Sequence, residues 1–425
     1  MTDTIFANSS GAAPAGIAVI RISGPQAKFA LQQLTGKLPK PRHASFAKLR
    51  GAEGDILDSA LVLWLPAPAT VTGEDVAELH CHGGRAVVTA VFNQLDTIIG
   101  LRLAEAGEFT RRAFANGKID LAEAEGLADL LSAETELQRK LAMDMAGGQF
   151  SAQVAQWRAQ ILNASAAVEA VLDFADDDDV AVLPDSFIGS LAALHDELDD
   201  WLNRPRAEVL REGFRVAIAG PPNAGKSTLF NILVEEEAAI TAPIAGTTRD
   251  VLTRSVALSG IPFLFTDTAG LRDDSDDSIE LIGIERARKE LVRADLVLWL
   301  GPEGQGPDGA WEIAAQIDRA DHQPKFTPRH RVSAVSHSGI AGLRADLLTA
   351  AESALPKPGQ GALNARQHAL IASAAQALSQ SSRVADPLLI AENLRIARLA
   401  FDNLLGKTTT EDMLDALFGR FCIGK

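Results

Sequence analysis

Residues Gly220-Pro221-Pro222-Asn223-Ala224-Gly225-Lys226-Ser227 satisfy the spacing G-x-x-x-x-G-K-[ST], and this pattern narrows the fold more than anything else in the chain. It works only between a buried strand and a helix. Its glycines must let backbone N–H groups converge on phosphates while the helix N-terminus adds its positive dipole end. Both flanks comply: Arg215-Val216-Ala217-Ile218-Ala219 reads as a buried strand, and Thr228-Leu229-Phe230-Asn231-Ile232-Leu233 carries apolar residues at helical spacing. The candidate phosphate contacts are therefore Asn223, Ala224, Gly225, Lys226, Ser227 and Thr228, with Lys226 reaching the β/γ-phosphates and Ser227 ligating Mg²⁺.

Two further elements follow in the order a nucleotide switch requires. Ala245-Gly246-Thr247-Thr248-Arg249-Asp250 is a polar loop suited to sensing a γ-phosphate, with Thr248 able to complete the Mg²⁺ shell. Asp267-Thr268-Ala269-Gly270 then ends the strand Ile261 to Thr266. There Asp267 can hold Mg²⁺ through water, and Gly270 can bring its N–H against the γ-phosphate.

At 425 residues the chain has room for two or three domains, each with its own core. A formal charge of −16 argues against nonspecific coating of nucleic acid, which needs clustered Lys and Arg, so any RNA contact must be local. The absence of Tyr argues against a base-stacking platform. Two cysteines, Cys81 and Cys422, make no disulfide framework, and neither a leader pattern nor a membrane-length apolar stretch is present. A soluble cytoplasmic protein is expected.

The organisation is multidomain. Residues 1–116 mix strand-like runs (Gly16 to Ile22, Ser59 to Leu65, Val76 to His80) with a helix from Ala86 to Ile99, an α+β pattern. Residues 117–210 turn to Ala, Leu and Glu at helical spacing. The acidic run Asp176 to Asp179 interrupts them and reads as a solvated connection before it reads as a metal site. Residues 211–355 alternate strands and helices, and 356–425 are helical again, with Pro387 opening a helix after Asp386. Like segments on both sides of an α/β unit predict an all-α domain, split in sequence, with a Ras-like nucleotide domain inserted in it.

Guanine-reading members of such folds carry N-K-x-D at a strand end. Here Ala315-Gln316-Ile317-Asp318 stands between the strand Asp295 to Leu300 and the pair Ser333-Ala334 that resembles the last guanine-contacting loop. Asp318 keeps the carboxylate for the guanine edge, the Asn contact is lost, and Gln316 must replace the Lys stem. Guanine is still expected. Leu271 occupies the position after D-x-x-G where a Gln often orients the attacking water, so hydrolysis needs another device. Glu280, acting through a water, and a cation beside Asn223 are the candidates, though on the residues alone Glu280 reads more readily as one more solvated charge.

The motifs outside this unit carry a family resemblance: Val19-Ile20-Arg21-Ile22-Ser23-Gly24, the run Thr72 to Gly84 (TGEDVAELHCHGG), Gly107 to Lys118 (GEFTRRAFANGK) and the terminal Phe421-Cys422-Ile423-Gly424-Lys425. Over essentially its full length the chain resembles the MnmE (TrmE) family of bacterial GTPases, which modify the wobble uridine of certain tRNAs. The resemblance implies an N-terminal domain that dimerises and binds 5-formyltetrahydrofolate through Arg21, Glu78, Lys118 and Lys425. It implies K⁺ at Asn223 and at Ala242, Ile244 and Thr247 around the switch loop, and a catalytic role for Glu280 beside Lys226. It also implies a homodimer and a flavin- and NADH-using partner protein, which together add a carboxymethylaminomethyl-type group at uridine C5.

Other readings of single motifs carry less. His80-Cys81-His82 looks like a metal triplet, but alternation along a strand puts the two histidines on one face and Cys81 on the other. Cys422-Ile423-Gly424-Lys425 has the length of a prenylation box but lacks its aliphatic residue and ending, leaving Cys422 as a buried or tRNA-site thiol near the folate. The competing class is a nonenzymatic GTP-gated switch that docks RNA or an assembling ribosome. Folate titration separates the two, because a pure switch has no reason to bind folate.

Overall fold

The computed structural model describes residues 3–173, 183–184, 186–235, 252–267, 290–320, 322, 324–357, 359, 361–408 and 410–425. Contacts divide the chain into two compact units, one formed by Met1–Ala128, Ser151–Val154 and Asp402–Lys425, the other by Asp129–Phe150 and Ala155–Phe401.

The first unit is built on a six-stranded sheet of β1 (Thr4–Asn8), β2 (Ile17–Ser23), β3 (Ser45–Arg50), β4 (Ile56–Leu65), β5 (Val76–His82) and β6 (Leu101–Leu103), in the order β3-β4-β5-β2-β1-β6. All pairs are antiparallel except β1 with β6. The period-2 pattern decides which face is covered. Ile20 and Ile22 of β2 and Ala77, Leu79 and Cys81 of β5 point into a core with Leu31 and Leu34 of helix Ala27–Thr35 and Val91 and Leu95 of helix Arg85–Asp96. Each of the Ile, Leu and Val side chains so removed from water contributes about 1.5–3 kcal/mol. The intervening residues Arg21, Glu78 and His80 share the opposite face, since Arg21 pairs with Glu78 and Val19 with His80.

The C-terminal segment belongs to this unit. Helix Glu411–Phe418 packs Leu414 and Phe418, with Phe421, on Leu121 and Ala124. Gly107 has φ +69°, and a Cβ there would come within 2.2 Å of the Phe418 carbonyl, so only glycine lets the two backbones approach. Ile423 bridges to Ala106, and the Ser9 hydroxyl donates to the Gly424 carbonyl at 2.8 Å. Arg111 holds the helix from outside through Asp415 at 2.8 Å and Glu411.

The second unit contains a sheet in the order β12-β11-β10-β7-β9-β8. These strands are β7 (Phe214–Ala219), β8 (Leu252–Leu258), β9 (Ile261–Asp267), β10 (Leu296–Trp299), β11 (Trp311–Ala314) and β12 (His330–Arg331). Only β8 runs antiparallel to its neighbour. Buried Val216, Ile218, Phe263, Phe265 and Leu298 pack with Leu229 and Leu233 of helix Lys226–Glu235 and Leu343 and Leu347 of helix Ile340–Ala354. The fold class is the expected one: an α+β N-terminal region, helices flanking in sequence, and an α/β phosphate-loop domain. A second core in this unit gathers Phe150, Trp157, Trp201 and Phe401, with ring centroids 5.3–6.3 Å apart. Helix Pro387–Leu404 starts at the expected proline, the Asp386 carboxylate accepting from the Leu388 N–H at 2.9 Å. No described helix is long and apolar enough to cross a membrane.

Candidate functional site

Two sites are built, one in each unit. In the second, parallel strands deliver their carboxyl ends to one edge, where open α/β sheets bind ligands. The loop Gly220–Gly225 leaves β7, Asp267 ends β9, Ala315–Asp318 follows β11 and Ser333 follows β12. Gly220 and Gly225 have φ +150° and +89°, and Asn223 sits in the left-handed region at φ +62°, so the loop curls as a phosphate cradle requires. Lys226 opens the helix, is almost fully buried, and donates to the Pro221 carbonyl at 2.7 Å. The Ser227 hydroxyl donates to the buried carboxylate of Asp267 at 2.6 Å, so the two predicted Mg²⁺ groups, one in the first turn of the helix after β7 and one at the end of β9, meet. That pair supplies the oxygen donors a hard divalent cation takes.

The residues predicted to read the base also converge. The Ser333 hydroxyl donates to the Asp318 carboxylate at 2.5 Å and accepts from the Ser336 N–H at 3.0 Å, leaving Asp318 fixed at the edge of the loop. Ala334 follows directly. The predicted residues Ala242, Ile244, Thr247, Thr248, Thr268, Ala269, Gly270, Leu271 and Glu280, and the acidic run Asp176 to Asp179, lie outside the described residues.

In the first unit the predicted folate residues Arg21 and Glu78 share the sheet face opposite the core under helices Ala27–Thr35 and Arg85–Asp96, a face which Phe109 of helix Glu108–Ala115 covers at Ile5 and Ala7 of β1. The Arg21 Nε donates to Glu78 Oε1 at 2.9 Å, and the Arg21 guanidinium stands 5.8 Å from the Phe109 ring. Lys118 follows helix Glu108–Ala115 and packs its side chain against Gly73, whose φ is +78°. Lys118 also lines a hollow of about 380 Å³ with Phe114, Asp120, Glu123, Gly406 and Lys407. Asp120 and Glu123 are engaged in reciprocal capping of helix Leu121–Ser132, each carboxylate accepting the other's N–H at 2.8–2.9 Å. Lys425 closes a turn onto the Cys422 carbonyl, next to Gly424, which lies against Asn8. Asn8 is register-paired with Ile20, the neighbour of Arg21. Among basic and acidic groups of this kind, cations suit the carboxylate tail of a folate and Glu78 suits a pterin N–H edge.

One network escaped the sequence reading. Arg112, fully buried, donates to Glu108 at 3.0 Å, to Glu74 at 3.1 Å and to Asp3 at 3.1 Å, while Ser23 bonds Glu74 at 2.8 Å and Thr72 at 2.7 Å. It fixes the loop that presses Gly73 on Lys118. The i,i+4 spacing of Glu108 and Arg112 was its only sequence signal. Burial pushes the Glu108 carboxyl up, but hydrogen bonds from Arg102, Glu105 N–H and Arg112 outweigh it and leave it below its ordinary value.

The cysteines behave differently from each other. Cys81 is buried, and that burial, with the Asp58 charge, pushes its thiol up to about 12, so it is protonated at neutral pH. His80 and His82 lie opposite it against Glu78 and Asp58, and no metal-holding cluster occurs among the described residues. Cys422 is exposed, which corrects the buried alternative for it, because the tail seats through Phe421, Ile423 and Gly424 instead.

A glycine loop curled as a phosphate cradle, Ser227 joined to Asp267 and Asp318 fixed by Ser333 on one sheet edge define a nucleotide-hydrolysing P-loop protein that carries a separate α+β domain. Residues 4–118 match the model of the GTP-binding protein TrmE N-terminus, and residues 121–422 that of the MnmE helical domain. The tRNA modification GTPase MnmE of Erythrobacter litoralis is 60% identical over 423 residues, covering all of both chains. That of Novosphingobium aromaticivorans is 59% identical, again covering all of both, and that of Rhizorhabdus wittichii is 54% identical over all of this chain and 97% of its own. The chain belongs to the MnmE family.

Proposed function

We propose that the chain is a potassium-activated GTPase of tRNA modification. With a flavin- and NADH-using partner it adds a carboxymethylaminomethyl-type group at C5 of the wobble uridine, drawing the one-carbon unit from 5-formyltetrahydrofolate. GTP hydrolysis and the link to tRNA modification follow from membership in a family whose relatives, coextensive with this chain, carry that name. The observation that carries the hydrolytic part is the meeting of Ser227 with Asp267 beside the cradle.

In this reading Lys226 binds the β/γ-phosphates, and Ser227 with Thr248 holds Mg²⁺, which supplies charge neutralisation. Asn223, Ala242, Ile244 and Thr247 hold K⁺, which supplies a positive charge where an arginine would otherwise act. Glu280 orients water as a general base, and Asp318, Ser333 and Ala334 read guanine. Arg21, Glu78, Lys118 and Lys425 hold the folate, which supplies the one-carbon unit. Segments 1–116, 117–210, 211–355 and 356–425 are the working domains. The expected assembly is a homodimer in the cytoplasm, and its dimeric part is supported by exposed Phe46 and Leu61, cross-strand neighbours in register with His80.

Calorimetry with 5-formyltetrahydrofolate tests the reading. Saturable binding that Glu78→Gln weakens is expected; a chain that hydrolyses GTP yet shows no folate heat would instead fit a GTP-gated RNA or ribosome switch.

A further inference from the structure

The nucleotide unit joins two backbone positions that no motif pairs. Asn223 in the phosphate loop has φ +62°, and Gln316 after β11 has φ +57°, so both are side-chain-bearing residues in the left-handed region. They meet directly. The Gln316 amide nitrogen donates to the Asn223 carbonyl at 3.2 Å, and a Cβ on Gly225 would touch the Gln316 side chain at 3.1–3.4 Å. Gln316 thus crosses over Gly225 to grip the peptide that follows Asn223. The Gln316 end is anchored in turn: its carbonyl accepts from the Arg319 N–H at 3.0 Å, the Ile317 N–H reaches the Val332 carbonyl at 3.4 Å, and Asp318 is tied to Ser333.

The orientation of a carbonyl is set by ψ of its own residue, so holding the Asn223 carbonyl fixes the backbone from which the Asn223 side chain projects. We propose that Gln316 is a positioning residue for cation-dependent hydrolysis, locking Asn223 in the rotation that presents its side chain to K⁺. Cation affinity is then coupled to the base-reading loop. The inference deepens the reading of Asn223 as a K⁺ ligand and rests on it.

The test uses the full chain and two readouts, the K⁺ dependence of GTP hydrolysis and the K⁺ dependence of the affinity for a nonhydrolysable GTP analogue, whose K⁺ midpoints should move together. Gln316→Met keeps the length and removes the donor, and the half-saturating K⁺ concentration should rise about fivefold, the weight of one net hydrogen bond. Gln316→Glu, which keeps the planar end but cannot donate when ionised, should raise it too, and serves if the Met variant folds poorly. In an Asn223→Ala background Gln316→Met should lower the rate in K⁺ no further, because the two residues act as a unit. An unchanged K⁺ midpoint overturns the linkage, as does a loss in the Asn223→Ala background equal to that in the parent. If the parent hydrolyses GTP equally in K⁺ and Na⁺, the cation reading fails on its own terms, and that result is visible before any variant is made.

Discussion

A guanidinium with no exposure holds the most consequential side-chain positions of the N-terminal unit together. Arg112 shares its donors among Asp3, Glu74 and Glu108, so its loss removes the buried cation they have in common and leaves Asp3 and Glu108 to Arg102 and Glu74 to Ser23. Arg112→Met should lower stability in urea unfolding, by less than the about 3–5 kcal/mol of a buried charge left wholly unpaired. Its pH dependence has a definite sign. Burial raises Glu108 and Asp3, but Arg102 and Arg112 depress both below 4.5 and 3.8, so their stabilisation is present above those values and is lost as pH falls through the folded ones. The Arg112→Met penalty should therefore shrink in acid, and a penalty constant down to strongly acid pH would place its origin in packing alone. At the other site, Asp318 held by Ser333 predicts that Asp318→Asn lowers the affinity ratio of GTP to XTP, because an amide donates toward the xanthine 2-oxo group where the carboxylate accepted from guanine N2. An unchanged ratio would displace the base-reading strand from Ala315–Asp318.

At the scale of elements, what could be read in the chain was local. Strand β7, the loop and its helix were legible because one motif and two periodicities agree over 22 residues from Phe214 to Glu235. Strands β1 and β6 were not, since each is short and gains its identity from the other, 97 positions away in register at Thr4 and Leu101. The seat of the tail was expected from the family resemblance alone. No periodicity announces that Gly424, at φ +98°, would collide through a Cβ with the Asn8 carbonyl at 2.2 Å. That contact makes a prediction for the element. Gly424→Val should be rejected by both φ and space, loosen Lys425 from its place beside Asn8, and weaken 5-formyltetrahydrofolate binding as deletion of Phe421 to Lys425 does. Calorimetry decides it: an unchanged folate dissociation constant in both variants would remove Lys425 from the site.

At the scale of the whole molecule, the phosphate cradle and the Arg21–Glu78 face are built from separate cores in separate units, which share none of the residues that line either site. Their chemistries should then be separable by mutation. With Leu271 unable to orient water, hydrolysis is expected to depend on K⁺ through Asn223, and Glu280→Ala should lower the rate by about 10²–10⁴-fold with little change in GTP affinity, the signature of a base that acts in the transition state. Lys226→Ala should instead weaken binding of the phosphates themselves. The chain lacking Phe421 to Lys425 is the decisive comparison. It should keep the parent's K⁺-stimulated GTP hydrolysis, because Ser227, Asp267 and Asn223 depend on β7 and β9 and not on the tail, while losing folate binding and tRNA modification. Loss of K⁺-stimulated hydrolysis in that variant, with the fold intact by circular dichroism, would mean that the tail governs the nucleotide site and that the two chemistries are one.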